Sequence, residues 1–202
     1  MEVVLSDLAS IEQEFAAGVL ARAYRDVPLT RAIYGDDPDR RLRAVEGVMR
    51  LRLSAMARPP LVAHRDNKIV GVCGIAPPGA CQSSAAKQLQ AAPSVVNTRS
   101  RTMMRTLEML EAWDKQHPQE PHWHPGPVGV EPDGRRLGIG ALMMERFCEL
   151  TDADGGMAWL ETDQPGNVRF FERFGFATVI EEDILGIPNW YMRREARTEK
   201  AS

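Results

Sequence analysis

The stretch from Pro127 to Leu150, PVGVEPDGRRLGIGALMMERFCEL, constrains the fold most tightly, because three local rules succeed one another in it. Val128 and Val130 read as the end of a strand. Glu131-Pro132-Asp133-Gly134 stops that strand, since proline cannot continue a hydrogen-bonded ladder and Asp-Gly favours a turn. Ile139, Leu142, Met143, Phe147 and Leu150 then recur at three- and four-residue steps, the period of one helical face, with Gly138 and Gly140 at its start. The order strand, loop, helix puts the loop at a helix N-terminus. There the first-turn N–H groups lack partners and the helix dipole is positive, so anions gather, phosphates above all. Glycine lets a phosphate come close, and Arg135 and Arg136 add fixed charge in a geometry that suits it. The segment predicts a diphosphate site.

Two phosphate-binding designs are excluded: no Gly-Lys-Ser/Thr follows for a nucleoside triphosphate, and no third glycine completes a dinucleotide fingerprint. The run Arg135-Arg136-Leu137-Gly138-Ile139-Gly140 instead resembles the Arg/Gln-x-x-Gly-x-Gly/Ala pyrophosphate loop of the GNAT N-acetyltransferase superfamily. Further along, Leu160 to Phe176, LETDQPGNVRFFERFGF, resembles the second signature of that family: Asn167, then the aromatic pair Phe170-Phe171, then Gly175-Phe176. Within the superfamily the nearest likeness is to puromycin N-acetyltransferase-like members. It rests on Val-Gly-Val-x-Pro-Asp at 128–133, Leu-Glu-Thr at 160–162 and Trp-x-Met-x-Arg at 190–194.

The resemblance implies the acyl-CoA N-acyltransferase fold, with acetyl-CoA as cosubstrate and no metal. It implies acetyl transfer to the amine of a small molecule by direct attack on the thioester. It also implies roles. The backbone at Val128 and Val130 pairs with the pantetheine amides. The N–H groups of Arg136, Leu137, Gly138, Ile139, Gly140 and Ala141 hold the pyrophosphate beside Arg135, and Asn167 and Phe171 stand at the cofactor.

For the base, strand alternation puts Met157, Trp159 and Glu161 on one face, which makes Glu161 the best-placed carboxylate, with a structural role equally open. His122 and His124 flank Trp123 on the preceding strand, and an imidazole suits proton transfer near neutral pH; His124 is preferred. A zinc site from His117, His122 and His124 is disfavoured, since no carboxylate or thiol stands at ligand spacing. The family usually carries tyrosine where this chain has Phe171, so the usual acid for the departing thiolate is missing. Tyr34, Tyr191 or solvent could replace it; the alternative is a non-catalytic acyl-CoA-binding or sensing module.

Composition sets the frame. At 202 residues, 44% apolar and 26% charged, the chain suits a single domain over 1–202, and no apolar run reaches the length of a membrane span. A net charge of −3 with interspersed signs argues against a nucleic-acid partner. No secretion signal is visible, and three cysteines without metal or redox spacing suit a reducing compartment, so cytoplasmic residence is expected. The expected partners are acetyl-CoA and a small-molecule amine, with no membrane and with a homodimer left open.

In chain order, 2–5 reads as a strand and the helix after Ser6 or Asp7 ends near Tyr24. Residues 26–36 read as irregular, and Asp37-Pro38 caps a helix buried through Leu42, Val45, Met49, Leu53 and Met56. A hairpin turns at Asp66-Asn67 between 61–64 and 69–75. Residues 77–96 are unpatterned and expected to be a loop over the active site; 101–116 return to helix, with Met103, Leu107 and Leu110 inward. After the phosphate-loop helix come a strand at 157–162, a helix from Asp163-Gln164-Pro165 to Gly175, and a closing hairpin of 177–185 with 190–193. The tail from Arg194 should fray. The fold class is α/β: a mixed, mostly antiparallel sheet with helices on both faces, splayed at the strand carrying Pro125-Gly126-Pro127.

Overall fold

Short strands build two antiparallel sheets in the computed structural model, which describes residues 2–80 and 100–197. The first contains β1 (Val4–Asp7), β2 (Leu61–Arg65), β3 (Lys68–Ala76) and β4 (His124–Val130), in that spatial order. The second contains β5 (Ala158–Thr162), β6 (Ala177–Ile184) and β7 (Ile187–Arg194), with β7 between the other two. The β2–β3 hairpin turns on Asp66 and Asn67 at φ 52° and 58°, a left-handed pair that short polar side chains tolerate. The β6–β7 hairpin turns on Leu185 and Gly186 at φ 55° and 75°. Ile187, Pro188 and Asn189, expected in a loop, therefore pair with Ile184, Asp183 and Glu182, because a two-residue turn leaves nothing over.

The helices are α1 (Gln13–Tyr24), α2 (Pro28–Tyr34), α3 (Pro38–Ser54), α4 (Arg101–Gln116), α5 (Ile139–Asp154) and α6 (Pro165–Glu172). Asp37 caps α3, its carboxylate accepting from the N–H groups of Asp39 and Arg40 at 3.0 and 3.1 Å. α2 replaces the irregular segment expected at 26–36. Pro28 is pre-set for a first helical turn, and the Leu29 N–H donates to the Asp163 carboxylate at 2.8 Å.

α1 and α3 cover the face of the first sheet that presents Val62 and Val72. α5 covers the opposite face, where Ile139, Met143, Met144 and Phe147 meet Ala63, Cys73 and Ile75. The buried stripe of α5 continues through Cys148 and Thr151, while Leu142 is 36% exposed, a rotation from the stripe expected. α4 lends Trp113 to a smaller cluster with Met157, Trp159 and Tyr191; none of its residues is fully buried, Met103, Leu107 and Leu110 included. No described helix is long and apolar enough to cross a membrane. The charged tail begins later than expected, because Arg194 is 2% exposed and its guanidinium donates to both Asp152 carboxylate oxygens, to Thr151 Oγ1 and to the Phe174 carbonyl. Residues 81–99, most of the expected active-site loop, lie outside the described residues.

Candidate active site

β4 and β5 start side by side and then part. They share one parallel bridge, in which the Trp123 N–H donates to Met157 O at 2.8 Å and the Trp159 N–H to Trp123 O at 2.9 Å. The Trp123 indole fastens this seam to α5 by donating to Asp154 at 2.8 Å. Past it, Pro125 and Pro127 remove two N–H donors from β4, and the β3–β4 register slips between Cys73 and Ile75. Gly74 permits that slip: a Cβ there would lie 2.4 Å from the Gly126 carbonyl oxygen. The Val128 N–H turns away from β3, and the two-residue period of a strand turns Val130 the same way. Both candidate pantetheine positions thus present backbone groups to the gap.

On the α5 side of the gap lies the glycine loop. Arg136 and Gly138 are left-handed, φ 64° and 82°, and Gly138 is the N-cap of α5. The first intrahelical bond runs from Leu142 N–H to Gly138 O at 3.0 Å, and no N–H from Arg136 to Ala141 has a backbone acceptor. Arg136, Leu137, Gly138, Ile139, Gly140 and Ala141 therefore form a fan of donors at a helix N-terminus, the arrangement that binds anions. Ile139 is buried and anchors it; Arg136 and Leu137 are exposed. The Arg135 guanidinium donates to Ala23 O at 3.0 Å and ties the loop to α1.

Asn167 and Phe171 both stand on α6, which follows β5. The Asn167 side-chain amide donates to Thr162 Oγ1 at 3.2 Å, holding α6 against the end of β5. Phe171 is 7% exposed and meets Phe170 and Phe176 edge-on, with ring centroids 5.3 and 5.9 Å apart, which makes it a core residue. The ring beside the loop is Phe170, 3.5 Å from where a Gly140 Cβ would stand.

Across the gap, His124 Nε2 and Glu161 Oε2 are 2.9 Å apart, with side chains 8% and 13% exposed. Burial pushes the Glu161 carboxyl up, but the charge and hydrogen bond of His124, with Arg52 and His117 nearby, bring it below the ordinary value. His117, at the end of α4, stacks edge-on against His122 at 4.5 Å and lies 6.1 Å from His124. Burial, then the two neighbouring imidazoles, lowers His117 to about 4; His122 is lowered by burial and engages Glu120 O through Nδ1. Of the two candidate histidines only His124 meets Glu161. Among the described residues no group of three or more His, Cys, Asp or Glu is placed to hold a metal ion.

Neither tyrosine considered as a substitute acid enters the gap. The Tyr191 hydroxyl donates to Glu182 of β6 at 2.6 Å, and Tyr34 bonds Thr106. The tyrosine that does reach the gap is Tyr24, missed in the sequence, whose hydroxyl accepts the Val128 N–H at 3.1 Å. Its phenol also feels the charges of Arg52, Asp163 and Glu161.

Comparison with known proteins bears on the fold and the family. Solved structures with the same fold include an acetyltransferase of Corynebacterium glutamicum related to histone acetyltransferase (18% identity, TM-score 0.70, all of both chains covered). They also include arylalkylamine N-acetyltransferase 2 of Aedes aegypti (13% identity, TM-score 0.67, covering 98% of this chain and 100% of that one). A third is the polyamine N-acetyltransferase of Drosophila melanogaster (15% identity, TM-score 0.65, covering 96% of this chain and 100% of that one). The model of the acetyltransferase (GNAT) family matches residues 24–176, from the tyrosine at the end of α1 to the phenylalanine before β6, and so takes in both walls of the gap. The chain belongs to the GNAT acetyltransferase family and is an acetyl-CoA-dependent N-acetyltransferase acting on an amine.

Proposed function

We propose that acetyl-CoA lies in the gap between β4 and β5, its pantetheine along Val128 and Val130 and its pyrophosphate on the N–H groups from Arg136 to Ala141. The acceptor is a small-molecule amine entering from the side of α1, α2 and α4. The observation that carries this reading is the buried His124–Glu161 pair on the wall facing that side. An ionised Glu161 accepts a hydrogen bond from Nε2–H of His124, which fixes the ring and leaves the Nδ1 lone pair to accept the proton of the amine. Nδ1 lies beside Gly126, 3.5 Å from where a Cβ of that residue would stand, and glycine there keeps the approach to the ring open. The amine then attacks the thioester carbon directly and CoA leaves as the thiolate.

The likeness to puromycin N-acetyltransferase-like members rests partly on Leu160-Glu161-Thr162 and Trp190 to Arg194, which pair with each other as β5 and β7. That likeness therefore speaks more for scaffold than for acceptor. A cytoplasmic setting fits the buried free thiols of Cys73 and Cys148.

The test is thiol release from acetyl-CoA against a panel of amines, with calorimetry for the cosubstrate. Glu161→Gln and His124→Ala are each expected to lower kcat by about a hundredfold or more while acetyl-CoA affinity holds. Full turnover at neutral pH in both variants removes the pair from the chemistry.

A further inference from the structure

Tyr24 is the last residue of α1, and α1 crosses β4 at Gly129. A Cβ on Gly129 would stand 2.9 Å from side-chain atoms of Ala23 and Leu20 and 3.6 Å from the Tyr24 ring, so glycine allows the helix to close on the strand. That closeness carries the phenol over the edge of β4, where its oxygen takes the Val128 N–H at 3.1 Å. The edge is the one that faces the gap. Burial, against the pull of Arg52, pushes the phenol up to about 12, so the hydroxyl keeps its proton at every physiological pH. Its oxygen is engaged as an acceptor, and among the described residues its proton has no acceptor. A donor held by backbone in this position suits an acceptor oxygen that arrives with the substrate.

We propose that the Tyr24 hydroxyl donates to the thioester carbonyl oxygen of acetyl-CoA and stabilises the charge that develops there. This rests on the reading of the gap as the acetyl-CoA site. The chain from Val128 N–H through Tyr24 O–H to the carbonyl is cooperative, because the bond accepted by the phenol oxygen polarises the bond it donates. As the amine lone pair forms the C–N bond, the carbonyl π pair moves onto oxygen, which the hydroxyl binds without giving up its proton. The C=O bond then re-forms and the C–S pair leaves with the CoA thiolate. The amine proton goes to His124 and solvent protonates the thiolate. A phenol near 12 is poorly matched to protonating a thiolate whose own acid lies at about 8 to 9, which favours the carbonyl over the sulfur as its target.

The experiment uses acetyl-CoA isotope-labelled at the acetyl carbonyl, bound to the wild type and to Tyr24→Phe, and reads the carbonyl stretch by difference infrared spectroscopy. The phenylalanine keeps the ring packing, which circular dichroism checks. With both proteins saturated by acetyl-CoA, the stretch is expected at lower frequency in the wild type than in the variant and, with any accepted amine, kcat falls by about tenfold or more in the variant. Equal frequencies in the two saturated complexes overturn the assignment of Tyr24 alone. A wild type that binds no acetyl-CoA overturns the reading of the gap, and this inference with it.

Discussion

Phe171→Tyr would place a hydroxyl among Phe170, Phe176 and the surrounding core, where it meets no polar partner. The expected result is a loss of about 1 to 3 kcal/mol in urea unfolding and a change in turnover below about tenfold, since the ring packs in the core cluster. His117 carries a pH signature. Its folded value of about 4 lies below the ordinary 6.5, so the unfolded chain binds the proton first as pH falls. Stability is therefore full above pH 6.5 and declines toward pH 4, by about 3 kcal/mol at most, and His117→Phe should flatten that decline in denaturant titrations at stepped pH. At this scale the sequence carries what is periodic. Alternation along β5 places Glu161 on the face of Met157 and Trp159, but its meeting with His124 depends on two strands 37 residues apart lying side by side. Tyr24 gives no local signal, because its partner lies 104 residues away in the chain.

The glycine loop and α5 form the element on which cosubstrate binding turns. A Cβ at Gly140 would make only ordinary contacts, 3.5 Å to Phe170 and 3.7 Å to Val130, so Gly140→Val is expected to fold. It should weaken acetyl-CoA by about tenfold, near 1.4 kcal/mol, by spoiling one or two charge-assisted bonds from the loop. Calorimetry checks it, and an unchanged affinity removes the loop from the site. This element was readable in the chain because its causes are local: proline and Asp-Gly end a strand, glycine opens a helix, and apolar residues recur at helical steps. α2 was not, because the carboxylate at its N-terminus belongs to Asp163, which arrives from β5. The β6–β7 turn was placed too late because Leu185 takes a left-handed conformation that its side chain does not advertise.

For the whole molecule, the second sheet is closed by a residue the composition marks as surface. Arg194, at the end of β7, reaches Asp152 and Thr151 of α5 and the Phe174 carbonyl after α6, so one guanidinium joins three elements. Arg194→Leu is expected to cost about 3 kcal/mol or more, seen as a lower urea midpoint, because it leaves the buried partners uncompensated. The parting of β4 from β5 reaches beyond catalysis. Among the described residues, the gap-facing edge of β4 at Val130 and the amides from Arg136 to Ala141 have no backbone partner, although β4 and α5 are regular elements. Such amides trade hydrogen for deuterium quickly on a scaffold that otherwise protects its own. Any molecule that seats its diphosphate and amide groups there slows that trade at those positions alone. Exchange measured residue by residue would therefore report which thioesters the protein accepts before a single acceptor amine is known.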